Sequence, residues 1–273
     1  MALVGQAAAR QTGPMNASTE GAVRPASTLI LLRDRPAYEV LMVQRHHQID
    51  FASGALVFPG GKAHPGDADV RWSDHVLDAG DGLEQRSLRI AAIREVFEEA
   101  GLLLARDRSG RPLEIEPCPL EVRQAVDRGE LPFLDVVRDY GAVLDLAALD
   151  IFARWITPPV TPKRFDTWFY VARAPEGQLA VCDGREAVDA CWISPGAALA
   201  DAAAGRRKLV FPTRMNLNLL AAADGADTVI DQARARPRVT VQPEVRQGPE
   251  GPMLVLPEAA GYGAVAEPFV PGM

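Results

Sequence analysis

Aliphatic and β-branched residues gather at 28–32 and again at 39–44, and the five residues between them, Arg33-Asp34-Arg35-Pro36-Ala37, are polar or turn-forming. That layout predicts two antiparallel strands joined by a hairpin-length connection. Residues 51–61 are apolar but interrupted by Gly54, Pro59, Gly60 and Gly61, and 64–83 are rich in Asp and Gly with no period, which predicts a loop or insertion. From 84 to 104 the spacing becomes helical, with Ile93, Val96, Phe97 and Ala100 at i, i+3, i+4 and i+7 and Gly101 as a stop. Residues 119–140 predict two short helices hinged at Leu131-Pro132, an all-helical excursion. Strand character returns at 151–157, 165–172 and 187–193. Ser194-Pro195 predicts a capped helix to about Ala204, and Pro212 opens another through Leu220, after which irregular, Pro-rich chain is expected.

The helix over 84–104 carries the informative chemistry. At 100° per residue from Ile93, the apolar stripe spans about 300° to 40°, while Glu98, Glu95 and Glu99 fall at about 140°, 200° and 240°. Three carboxylates therefore share one arc. Left unpaired, Glu95 and Glu99 at i and i+4 repel by roughly 0.2–0.5 kcal/mol. A hard dication reverses that sign, because Mg²⁺ takes oxygen ligands from a few carboxylates together with substrate phosphates. The competing reading is a solvated outer helix face on which Arg94 pairs with Glu98. Helical spacing alone leaves both open.

Composition narrows the field. The 273 residues leave room for one large domain or two small ones, and 48% hydrophobic content is that of a globular chain. With 29 Lys+Arg against 36 Asp+Glu the formal charge is −7, which argues against a nucleic-acid polymer as partner. No apolar stretch approaches the ~18 residues of a membrane span, since Leu29 to Leu32 runs into Arg33, so no membrane partner is expected. Residues 1–23 read as a loose leader. Cys118, Cys182 and Cys191 are odd in number and lack C-x-x-C spacing, which fits reduced thiols. Lys62 does not make a P-loop, because Leu56 and Ala63 stand where that loop needs Gly and Ser or Thr. His46, His47, His64 and His75 lack the helical pairing of a zinc site, and no Gly-x-Ser-x-Gly elbow is present.

Upstream of the acidic helix stand Phe58-Pro59-Gly60-Gly61-Lys62 and Gly66-Asp67. Taken together, Gly61, Arg94, Glu95, Val96, Glu98, Glu99, Gly101 and Leu102 resemble the Nudix box, G-x5-E-x7-R-E-U-x-E-E-x-G-U with U a bulky aliphatic. Two departures stand out. Asp67 occupies the place of the first Glu, and 26 residues separate it from Arg94, so the box is split by an insertion of about 19 residues. A split box, with Val43-Gln44-Arg45, Trp155-Ile156-Thr157-Pro158, Lys163 to Thr167 and Phe211-Pro212-Thr213-Arg214, is similar to the peroxisomal coenzyme A diphosphatase type of Nudix protein and its bacterial relatives.

The resemblance implies an α/β/α sandwich with a mixed sheet over 24–222, a loop insertion in the box at about 67–85, a helical insertion at about 117–149 and an extension over 223–273. It implies Mg²⁺ or Mn²⁺ on Glu95, Glu98 and Glu99, with the Gly61 carbonyl as a further ligand, and Glu95 or Glu98 as base, Glu186 being a weaker candidate. Arg94 would orient the carboxylates. Gly60 and Gly61 can adopt backbone angles closed to other residues and let the chain approach phosphate or metal closely, a plain turn being the competing reading. Lys62, Arg45, Arg164 and Phe165 are substrate-binding candidates, and Arg206-Arg207-Lys208 either meet a 3′-phosphate or close a solvated helix end. The implied reaction is hydrolysis of a diphosphate linkage in a small molecule, coenzyme A or an acyl-coenzyme A first. The alternatives are a dinucleotide or nucleotide-sugar pyrophosphatase and a catalytically silent nucleotide-binding regulator. A homodimer is an open expectation. The chain ends Pro271-Gly272-Met273 rather than in a Ser-Lys-Leu type tail, so peroxisomal addressing does not carry over, and the reduced thiols make the cytoplasm the expected location.

Overall fold

Within the first strand, β1 (Val23–Arg33), Leu29 to Leu32 form a continuous apolar run because both faces are covered there. Leu29 and Leu31 point into one hydrophobic cluster, while Ile30 and Leu32 point into another on the opposite side of the sheet. A computed structural model describes residues 22–46, 53–185, 187–249 and 251–269. Residues 1–21 of the leader, His47, Glu186 and the last four residues therefore lie outside the described residues, while Val23, expected to close the leader, opens β1.

After β1 come β2 (Glu39–Arg45), β3 (Ala55–Val57), β4 (Gly60–Lys62), two 3-10 turns (Pro65–Ala68 and Val70–Asp74), β5 (Val76–Leu77) and helix α1 (Leu83–Ala100). The chain continues through β6 (Ala105–Asp107), α2 (Leu120–Asp127), α3 (Phe133–Asp139), β7 (Ala142–Asp145), β8 (Asp150–Ile156), β9 (Arg164–Arg173), β10 (Ala187–Ile193) and α4 (Pro195–Ala203). It closes with β11 (Lys208–Leu209), α5 (Phe211–Ala221), α6 (Ala226–Ala235), β12 (Thr240–Val241), β13 (Glu244–Gly248), β14 (Gly251–Val255) and β15 (Ala266–Pro268).

Among the described residues the main sheet runs β11-β3-β2-β1-β9-β8-β12, with β10 along β2 and β4 along β1. It is mixed, as expected. β1 and β2 meet antiparallel at Leu32↔Val40, and β1 and β9 run parallel from Val23↔Arg164 to Leu32↔Arg173. On one face lies α1, whose Ile90, Ile93, Val96 and Phe97 are fully buried; on the other, Met215, Leu217 and Leu220 of α5 and Val229 and Ile230 of α6 cover Ile30, Met42 and Val171. These are the two helical layers of the α/β/α arrangement.

Three expectations need correction. The stretch 64–83 is not a plain loop, since it folds into the two 3-10 turns and β5. Trp72, 1% exposed, supplies the reason: its ring packs 5.7 Å from Phe133 of α3, and Phe133 packs 5.4 Å from Phe97 of α1. The excursion at about 117–149 is not all helical either. It includes β7, which pairs parallel with β5 and antiparallel with β6, so both insertions share one small sheet over α1. Finally, the chain after Ala221 is not irregular. Ala226, Val229, Ile230 and Ala233 form the buried stripe of α6, and β12 extends the main sheet at Arg154↔Thr240. The i, i+3, i+4, i+7 signal is present there but occupies a short window cut off by Pro237.

Candidate active site

Helix α1 ends where its sequence says it should. Gly101 adopts φ +73°, the left-handed conformation that a residue with a Cβ resists, and its N–H donates to the Phe97 carbonyl. The carboxylate arc is not a solvated face: Glu95, Glu98 and Glu99 are 8%, 7% and 4% exposed, and Arg94 is 7% exposed. The box insertion, α2 and the β3–β4 segment enclose what a free helix would leave in water. Tertiary packing therefore excludes the solvated face of the competing reading, although the Arg94–Glu98 pair that it named is present at 3.0 Å.

Arg94 is the hub. Its Nε donates to Asp67 Oδ1 at 2.9 Å, and its Nη2 donates to Asp67 Oδ2 at 3.1 Å and to the Lys62 carbonyl at 2.8 Å. Its Nη1 donates to Glu95 Oε1 and to both Glu98 oxygens at 3.0 Å each. Asp67, 2% exposed, also accepts from the His64 N–H at 2.7 Å in the capping box of the first 3-10 turn. The split box is thus closed in space: residues between Asp67 and Arg94 loop out and return, leaving the two side chains paired.

Burial by itself would discharge Arg94, but the Glu95 and Asp67 carboxylates outweigh it and move its pKa upward. Burial pushes Glu98 up to about 8, opposed by Arg94 and reinforced by the charges of Glu95 and Asp127. Three glutamates are thus clustered in a poorly solvated place, two of them on one shared guanidinium.

The glycines explain how backbone reaches these side chains. Gly60 and Gly61 sit in β4, paired with Thr28 and Ser27 of β1. Neither has a positive φ, so unusual backbone angles are not their reason; close approach is. A Cβ on Gly60 would lie 2.5 Å from the Ser27 carbonyl oxygen, and one on Gly61 would lie 2.6 Å from both Glu95 carboxylate oxygens. The Gly60 N–H donates to Glu99 Oε2 at 3.2 Å.

The other expected residues scatter more. Lys62 contributes its carbonyl to Arg94, and its side chain is exposed. Arg45 lies at the end of β2 opposite Ala187, with a buried Nε that has no hydrogen-bond partner among the described residues. Arg164 and Phe165 stand on the far edge of β1, level with Val23 and Arg24, whereas Gly60 to Lys62 meet Thr28 to Ala26. Arg164 Nε donates to the Thr157 carbonyl at 3.1 Å. Arg206 pairs with Asp201, and Arg207 donates to Gln44, so both have protein partners.

Residues missed in the sequence complete the surroundings. A small crevice is lined by Glu98, Glu99, Arg123, Gln124, Asp127 and Asp183. Asp183 Oδ1 accepts from the Ala187 N–H at 2.8 Å, and Asp127 pairs with Arg185 at 3.0 Å, which ties α2 to the loop before β10. Only the i, i+4 spacing of Arg123 and Asp127 hinted that these two share a helix face; nothing local links either to Asp183.

A profile of the NUDT19 Nudix domain matches residues 79–213. The human acyl-coenzyme A diphosphatase NUDT19 is 30% identical over 220 residues, covering 64% of this chain and 59% of its own length. The putative nudix hydrolase 7 of Caenorhabditis elegans is 27% identical over 228 residues, covering 78% of this chain and 66% of its own length. The crystal structure of a NUDIX hydrolase from Alicyclobacillus acidocaldarius superposes with a TM-score of 0.67 at 29% identity, covering 77% of this chain and 96% of that one. The chain belongs to the Nudix hydrolase family. It resembles the coenzyme A diphosphatase type within that family, and it spans about three-fifths of the human relative. Among the described residues no helix is long and apolar enough to cross a membrane.

Nudix proteins as a family imply divalent cations, and the residues here fit such an ion chemically. The donors are oxygens only, and Gly61 leaves the space beside Glu95 that any side chain would fill. Among the described residues no three acidic, His or Cys side chains are drawn into a preformed metal cage. Arg94 instead holds Glu95 and Glu98 together.

Proposed function

We propose that this chain is a divalent-metal-dependent hydrolase that cleaves a diphosphate linkage in an organic pyrophosphate, with coenzyme A or an acyl-coenzyme A as its first substrate. One observation carries the reading: Glu95, Glu98 and Glu99 are buried together against the Gly60-Gly61 backbone, around an arginine shared with Asp67. The printed names of the curated vertebrate relatives support the substrate choice.

Glu95, Glu98 and Glu99 would hold Mg²⁺ or Mn²⁺, with the Gly61 carbonyl as a further oxygen ligand. Such an ion, when bound, offsets charge on the phosphoryl oxygens and lowers the pKa of water. Glu95 or Glu98 accepts the proton of the attacking water. The water oxygen bonds to phosphorus, the phosphorus to bridging-oxygen bond breaks, and coenzyme A yields 4′-phosphopantetheine and adenosine 3′,5′-bisphosphate. Arg94 keeps the carboxylates aligned throughout. Arg45, whose buried Nε has no partner among the described residues, is suited to donate to a phosphate oxygen of the substrate.

The test is product analysis by chromatography and mass spectrometry with Mg²⁺ and with Mn²⁺ on coenzyme A, acetyl-coenzyme A, NADH, ADP-ribose and a nucleotide sugar. Phosphopantetheine products at the highest kcat/KM support the proposal. Preferential cleavage of NADH or ADP-ribose replaces the substrate, and no hydrolysis of any diphosphate with either ion refutes the activity.

A further inference from the structure

The last turn of α1 has an electrostatic problem. The carbonyl end of a helix carries about half a negative charge, so anionic side chains are unfavourable there. Glu98 and Glu99 add acidic side chains to that turn, and α1 has no basic residue of its own in it. The countercharge comes from another element. Arg123, on α2 of the helical insertion and only 3% exposed, donates from Nε to the Phe97 carbonyl at 3.0 Å and to the Glu98 carbonyl at 3.3 Å, and from Nη2 to the Glu98 carbonyl at 2.8 Å. The Glu98 carbonyl is one of those that an α-helix leaves without an internal donor, and the Phe97 carbonyl takes Arg123 in addition to the Gly101 N–H.

Two further features point to a purpose-built contact. A Cβ on Gly101 would stand 3.1 Å from Arg123 Nη1 and 3.3 Å from its Cζ, so the glycine that ends α1 also makes room for the guanidinium. Arg123 also lines the crevice that it shares with Glu98 and Glu99. Burial moves the Arg123 pKa down, while the nearby charge of Asp183 opposes that shift.

Resting on the hydrolytic reading above, we propose that Arg123 is a positioning residue of the active site: by clamping the Phe97 and Glu98 carbonyls it fixes the turn carrying Glu98 and Glu99, so that both carboxyl groups are held in place for a dication. The guanidinium acts through α1 and touches no substrate.

The test uses R123K and R123Q in the full chain, with R128Q as control. Arg128 lies at the end of α2 and pairs with Glu130, away from the site. Three quantities are read: kcat and KM for the diphosphate substrate, the Mn²⁺ dissociation constant by water-proton relaxation, and hydrogen exchange of the Gly101 amide without metal. For R123Q the expected results are a kcat lower by ~100-fold with KM within about threefold, Mn²⁺ affinity weaker by ~10-fold, and Gly101 exchange faster by at least ~10-fold. R123K, which keeps the charge but not the fork, should fall between wild type and R123Q in all three, and remains the informative variant if R123Q does not fold. Wild-type kcat and Mn²⁺ affinity in folded R123Q or R123K overturn the proposal, as do equal losses in R128Q. A wild-type chain that cleaves no diphosphate defeats the hydrolytic reading instead, and Mn²⁺ affinity and Gly101 exchange then still decide whether Arg123 organises this turn.

Discussion

Replacing Gly61 by alanine adds one methyl group where the chain has no room for it. The new Cβ would sit 2.6 Å from both oxygens of Glu95 and 2.7 Å from its Cδ. Ordinary contact needs about 3.5 Å, so roughly 0.9 Å must be recovered. β4 is held by its register with Ser27 and Thr28, and α1 is buried along its whole second half, so neither backbone yields easily. The Glu95 carboxylate must therefore swing, and its bond to Arg94 Nη1 at 3.0 Å is lost. Overpacking of this kind costs about 1–3 kcal/mol of stability, and a displacement near 1 Å at a reacting centre costs on the order of 100-fold in rate. G61A should thus remain folded, with a lower melting temperature and a kcat for coenzyme A hydrolysis reduced by ~100-fold. The double variant G61A/E95D separates causes, because shortening residue 95 by one methylene relieves the overlap and should return the melting temperature toward wild type without restoring kcat. A G61A protein with wild-type kcat refutes the close-approach argument.

Glu98→Gln keeps shape but removes a charge, and metal-dependent kcat should fall by ~100-fold or more with the circular dichroism spectrum and melting temperature near wild type. Asp67→Ala strips Arg94 of two hydrogen bonds at a 2%-exposed site, so urea unfolding should show a loss of ~3–5 kcal/mol; an unchanged midpoint would mean the split box needs no spatial closure. Trp72→Ala empties the contact joining the box insertion to Phe133, and thermal melting should report ~3–5 kcal/mol of destabilisation.

The reach of local pattern ends at identifiable places. The hairpin of β1 and β2, the span of α1 and its stop at Gly101 follow from apolar spacing and glycine conformation, which depend on near neighbours. α6 carries the same kind of spacing, yet a ten-residue window followed by Pro237 is too brief to stand out. Trp72 looked like one residue of a polar loop; its burial comes from Phe133, 61 positions further on. Asp67 stands in the place of the box's first Glu, but its pairing with Arg94 across 26 intervening residues is a matter of path rather than spacing.

The residues that can hold a hard cation, their order along one helix and the glycines that precede them are properties of the chain itself, because side-chain chemistry and helical periodicity act over a few positions. Whether those carboxylates face water or are enclosed was decided only when β4, the box insertion and α2 closed around α1, since burial is set by distant segments. Arg123 belongs wholly to this second class. The countercharge for the end of α1 comes from another helix, and no periodicity in α1 reveals which arginine supplies it.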